Sequence, residues 1–283
     1  MTRLPFWWLN TGYDYEDWQW LLYDNGQQLA APYVLPLALA CRTCARLPID
    51  ERVLPIECPP ELRGRPELSP RRGYEHRVRR AEFDQLRAEL EPSLAGQIDP
   101  ALLPLRPGDR FEPLVVRVFG PLQGDVMLLG ILTRLVSERV HDAWRALGAT
   151  GAVFGRVRLE LVSRREMQTA LSEHDSHRAE VRQLWKGSDP ATLGACYHMF
   201  VDAVSNGPPV GVDPAALCPE CGELRPGADV SARRVVLEPR MVSGADVLRL
   251  RTTGYIAVSD RVKDVLEAMG ASGVRFSPAD EEP

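Results

Sequence analysis

Apolar residues recur at helical spacing in two stretches of this chain. In VSERVHDAWRALGATGAVF, residues 136–154, Val140, Ala143, Trp144 and Leu147 share one helix face. In VSDRVKDVLEAMGASGVRF, residues 258–276, Val262, Val265, Leu266 and Met269 do the same. Ser137 and Ser259 stand where an N-cap hydroxyl accepts a hydrogen bond from an early, unpaired N–H. Glu138 and Asp260 put negative charge in the first turn, where the helix dipole favours it. Gly148 and Gly270 stop the helices as C′ residues. The pattern predicts helices near 137–147 and 259–269, each followed by a short strand, AVFGRVRLEL and VRFSP.

The two stretches align without a gap, with about half their positions identical. Their upstream segments agree in type. PLVVRVFGPLQGDVMLLG and RVVLEPRMVSGADVLRL each read as a strand, a turn with Gly-Asp or Gly-Ala-Asp, and another short apolar run. Two copies are too few for a solenoid, so the reading is duplication with pseudo-symmetry. The expected fold is α+β: two related strand-strand-helix-strand units in one compact body. Residues 1–165 form the first half and 166–283 the second. An insertion between Cys58 and Phe111 lengthens the first.

Outside the repeats, FWWLNTGYDYEDWQWLLYDNG gathers four of the six tryptophans and reads as a strand or hairpin ending at Asp24-Asn25-Gly26. Asp14, Glu16 and Asp17 among these aromatics are candidate contacts for a basic partner. A proline-rich loop then gives way to a charged helix from about Ala81. Arg71, Arg72, Arg77, Arg79 and Arg80 make a local positive cluster there, expected to be solvated or salt-bridged. His174 and His177 lie one helical turn apart, ahead of Cys196 and His198. The expected reading is solvent-facing histidines; a second metal site is the alternative.

Cysteine spacing brings in chemistry. ACRTCARL carries Cys41 and Cys44, and ALCPECGEL carries Cys218 and Cys221. Cys-x-x-Cys lets two thiolates from one tight turn reach one ion, and two such turns complete a tetrahedron. Four soft thiolates with no carboxylate point to a closed, structural zinc, one per chain, joining the halves in a discontinuous zinc-ribbon-like site. Gly222 suits the backbone after a ligating cysteine, whereas Ala45 stands in the equivalent place of the first turn. Buried core cysteines or a redox pair are the alternative, and Cys58 is either a spare ligand or a core thiol.

Composition narrows the function. The chain has 283 residues, 45% hydrophobic and 26% charged, with a formal net charge of −5. That balance is ordinary for a globular protein and disfavours a general nucleic-acid binder. No apolar run approaches a membrane span, and the aromatic, acidic N-terminal segment is unlike a signal peptide. A cytoplasmic protein is expected. No nucleophile elbow, metalloprotease helix or phosphate loop occurs. A four-thiolate zinc leaves no open position to activate water, so the expectation is a protein without enzymatic activity.

As a whole the pattern resembles the double-CXXCG motif immunity proteins, the Sit-type family. The resemblance rests on four elements in order: LPLALACRTC, then FDQLRAELEP with LRPGDRFEPLVVRVFG, then CPECG, then DVLRL with VSDRVKDVLEAMGASGVRF. It implies a cytoplasmic antidote that binds and neutralises a toxin delivered by sister cells. It also implies Cys41, Cys44, Cys218 and Cys221 as structural zinc ligands. An acidic antidote would suit a basic toxin, because complementary charge speeds association. The competing reading is a zinc-ribbon protein acting with nucleic acid or a transcription complex, using the arginine cluster.

Overall fold

A computed structural model describes residues 5–11, 29–30, 33–38, 43, 52–68, 77–122, 124–129, 133–173, 182–183, 185–186, 189, 191, 193–205, 214–219, 225, 236–250 and 255–279. Described strands are β1 (Phe6–Thr11), β2 (Leu29–Ala30), β3 (Leu37–Ala38), β4 (Val53–Glu57), β5 (Arg77–Val78), β6 (Arg110–Glu112) and β7 (Leu114–Val118). They continue as β8 (Val126–Leu129), β9 (Thr133–Ser137), β10 (Ala152–Leu161), β11 (Cys196–Val201), β12 (Val247–Arg249), β13 (Ile256–Ser259) and β14 (Val274–Pro278). The described α-helices are α1 (Arg80–Leu94), α2 (Glu138–Leu147), α3 (Arg164–Glu173) and α4 (Asp260–Ala268). The chain is α+β, as its alternating pattern predicts.

Helices α2 and α4 form where the periodicity places them. Ser137 caps α2, its hydroxyl accepting from Val140 N at 3.5 Å, and Gly148 ends the helix with φ +64°. Ser259 precedes α4, and Gly270 follows its last turn with φ +61°. Each helix buries one stripe, Val140 and Trp144 on α2, Val262 and Leu266 on α4. The stripes pack into one cluster with Val136, Met199, Val247 and Val258. Each such side chain contributes roughly 1.5–3 kcal/mol when removed from water. The halves therefore share a core.

Two sheets flank that core. One runs β2-β7-β10-β11-β9-β8, the other β12-β13-β1-β14. Their registers correspond position by position. Val126 pairs with Val136 in one hairpin, and Val247 with Val258 in the other. Strand β11 enters between β9 and β10, pairing Cys196 with Ser137 and Val201 with Ala152. Strand β1 enters between β13 and β14, pairing Phe6 with Ser259 and Thr11 with Val274. β1, from the N-terminal half, thus completes the C-terminal sheet, and β11, from beyond residue 165, completes the other. The boundary near residue 165 does not separate the sheets.

Two details depart from the sequence reading. Each unit holds a strand that the apolar pattern did not separate, β9 and β13, immediately before its helix; both are short and end on the serine that precedes it. The strand expected in VVLEPRM does not extend through 236–241. Pro239 has no N–H for a ladder, and Pro239–Met241 makes one tight turn instead. Leu237 N still donates to Ala279 O at 2.6 Å.

The insertion folds around α1. Phe83, Leu86, Leu90 and Leu94 line its buried face and pack on Leu35, Leu54 and Phe111. Its outer face carries Arg80–Asp84 and Arg87–Glu91 pairs at i,i+4. The insertion is pinned to the sheet below by a fully buried ion pair. Arg52 donates from Nε to Asp109 Oδ1 at 2.9 Å and from Nη2 to Oδ2 at 2.5 Å. Beside it, β10 approaches so closely that a Cβ on Gly155 would lie 2.5 Å from Val53 Cγ1.

Candidate functional site

Cys218 is the one proposed zinc ligand among the described residues, and its thiol is buried. It follows a short turn at Pro214–Ala216. Arg225 N donates to Ala216 O at 2.9 Å. A thiol is among the donors a zinc site uses. Cys41, Cys44 and Cys221 lie outside the described residues, as do Ala45, Asp14, Glu16, Asp17, His174 and His177. Among the described residues no group of three or more His, Cys, Asp or Glu side chains is placed to hold a metal.

The other described cysteines are core thiols. Cys58 belongs to the α1 cluster, and burial pushes its pKa up to about 11 against the opposing charge of Arg63. Cys196, on β11, is raised to about 12 by burial. Thiols held protonated in this way are poor nucleophiles. His198 is buried on the same strand. Of the arginine cluster, Arg79 and Arg80 are exposed and paired with Glu82 and Asp84. These two are salt-bridged as expected; Arg71 and Arg72 lie outside the described residues.

The strongest polar constellation lies where the halves meet, at residues the motif reading passed over. Asp125, just ahead of β8, accepts Ser137 Oγ at 2.7 Å and Arg139 Nε at 2.6 Å from its own half. It also accepts Ser272 N at 2.8 Å and Ser272 Oγ at 2.9 Å from the other half. Asp246, just ahead of β12, accepts Ser259 Oγ at 2.9 Å and lies 3.4 Å from Arg261 Nη1. From the opposite half it accepts Thr150 N at 3.1 Å and Thr150 Oγ1 at 3.3 Å. Arg139 continues to the carbonyls of Met269 and Gly270 behind α4, while Arg261 reaches Leu147 O at the end of α2. Each arginine thus meets the negative end of the opposite helix dipole.

These contacts hold both carboxylates below the usual range. For Asp125 the Arg139 hydrogen bond dominates, outweighing burial. For Asp246 burial pushes upward but is exceeded by the Thr150 and Ser259 hydrogen bonds and the charge of Arg261. A second correspondence lies on the helices. His141 stacks on Tyr197 at 3.8 Å with Phe154 edge-on at 5.3 Å. Lys263 sits over Trp7 at 4.5 Å with Phe276 at 6.0 Å. The sequence signal for the acidic pair was the turn preceding each apolar run, Gly-Asp in one and Gly-Ala-Asp in the other. Asp125 stands eleven positions ahead of Val136 and Asp246 twelve ahead of Val258, so one extra residue after Asp246 shifts the two acids out of the gap-free alignment.

Among the described residues no helix is long and apolar enough to cross a membrane. Comparison with protein-family models and with characterised proteins gives no match to this chain.

Proposed function

We propose that this chain is an immunity protein: a cytoplasmic antidote that binds a protein toxin and neutralises it by occlusion, without chemistry of its own. Its body is an internal duplication, and a structural zinc held by Cys41, Cys44, Cys218 and Cys221 ties the halves. The observation that carries the reading is order. Each half runs from a central strand, β1 or β11, through a Cys-x-x-Cys stretch to a hairpin, a helix and a closing strand. That is the order of the double-cysteine motif the sequence resembles.

Matched registers, reciprocal aspartates and paired His141–Tyr197 and Lys263–Trp7 contacts support the duplication. The Cys-x-x-Cys spacing and the buried Cys218 support the metal. Bound zinc supplies folding energy, since four thiolates converge only in the folded chain. The net charge of −5 suits a basic toxin, with Asp14, Glu16 and Asp17 as proposed contacts.

Co-expression tests this reading. Cells producing the toxin encoded beside this gene should survive only when the chain is present, and the two proteins should co-elute. Salt-sensitive retention of DNA or RNA by the purified chain, without toxin binding, would instead favour the nucleic-acid reading.

A further inference from the structure

Asp125 and Asp246 do the same job at opposite ends of the α2–α4 pair. Each closes a ring of contacts in which its own half supplies the serine at the helix N-terminus and an arginine, and the other half supplies a hydroxyl and a backbone N–H. The bonds also run back. Asp125 N donates to Ser272 O at 3.2 Å, and Asp246 N to Thr150 Oγ1 at 3.2 Å. Alongside them Val126 N donates to Ser272 O at 3.2 Å, and Val247 N to Thr150 O at 3.0 Å. The Thr150 loop is held tightly, since a Cβ on Gly151 would fall 2.0 Å from Val247 O. The carboxylates are shielded, at 8% and 12% side-chain exposure, while their arginines are half exposed.

We propose that these two clasps form a single acid-released latch, which closes the two halves over their shared core and opens at both ends together. The structure gives the coupling a route. Val126 and Val247, each next to a clasp, both belong to the common cluster with Trp144 and Leu266. Loosening one end therefore disturbs packing that the other end needs. Among the described residues, the charged group facing Asp125 is Arg139, and that facing Asp246 is Arg261. No change in arginine charge offsets protonation of the acids, because guanidinium stays charged across this range. A carboxyl group that binds protons less readily when folded stabilises the closed form above its unfolded pKa. That stabilisation is lost as pH falls through the folded value. The latch thus weakens progressively below about pH 4.

Amide hydrogen exchange on the full chain, corrected for intrinsic rates, tests this. The Val126 and Val247 amides report the two clasps separately. Asp246→Asn is expected to speed exchange at Val247, beside it, and also at Val126, at the far clasp, each on the order of tenfold. Asp125→Asn is expected to give the same footprint. Thr150→Ala, which removes a hydroxyl but no charge, serves should either variant fail to fold. In the wild type both amides should accelerate together between about pH 4 and 3. Acceleration confined to the near amide in each variant, or indifference of both amides to acid, overturns the proposal.

Discussion

Removal of the Asp109 carboxylate offers a direct measure of how the insertion is fastened. Asp109 and Arg52 are both wholly inaccessible, joined by two hydrogen bonds, and Asp109 Oδ2 also accepts Arg106 N at 2.7 Å. The backbone alongside is continuous with the pair: Arg110 N donates to Arg52 O, and Leu35 N to Asp109 O. Asp109→Ala strands a guanidinium out of water, a change worth roughly 3–5 kcal/mol. At about 2–4 °C per kcal/mol for a chain of this order of size, the melting temperature should drop by about 10 °C. The exposed Arg80–Asp84 pair is the control, and Asp84→Ala should cost under about 1 kcal/mol. Combining Arg52→Met with Asp109→Leu should recover most of the loss, apart from about 1 kcal/mol for the unmatched Arg106 amide. Chemical denaturation of the wild type, Arg52→Met, Asp109→Leu and the double variant gives the cycle, with Asp109→Ala and Asp84→Ala measured beside it. A single-variant loss near that of the control, or a double variant as unstable as the sum of the singles, would refute the argument.

Gly151 has φ +96° and no room for a Cβ beside Val247 O, so Gly151→Ala should lower stability by at least about 2 kcal/mol in urea titration. A substitution without measurable cost would show that the Thr150 loop is not held as described. Cys58 and Cys196, with thiol pKa values pushed up to about 11 and 12, should stay unmodified by a thiol reagent at mildly alkaline pH until the chain unfolds. Mass mapping of labelled peptides checks this, and rapid native labelling of either would contradict it. Ser137→Ala removes both a helix cap and a contact to Asp125, and should cost about 1 kcal/mol or more in thermal melts.

Legibility in the sequence followed how local each signal was. Helices α2 and α4 were readable because cap, charge, apolar stripe and terminal glycine all fall within a dozen neighbouring residues. Helix α1 was read only as a charged helix from about Ala81, one residue past its observed start at Arg80. Strands β9 and β13 were hidden in the apolar run before each helix, since a few residues cannot show whether they pair. The placement of β1 between β13 and β14 was not legible, because it joins residues about 250 positions apart that share no local pattern. Nor was the role of Asp125 and Asp246. Each acid is unremarkable in sequence and gains meaning only from Ser272 or Thr150 arriving from the other half. The cysteine turns are read from spacing alone, and Cys41, Cys44 and Cys221 lie outside the described residues.

The account rests most heavily on the four thiols of the two Cys-x-x-Cys stretches. Metal content of the purified full chain, measured by elemental analysis for the wild type and for Cys218→Ser, addresses them most directly. The expected result is about one zinc per wild-type chain, with the metal lost from the variant together with cooperative unfolding. A metal-free wild-type protein that still unfolds cooperatively, or a Cys218→Ser variant that keeps both metal and stability, would contradict it.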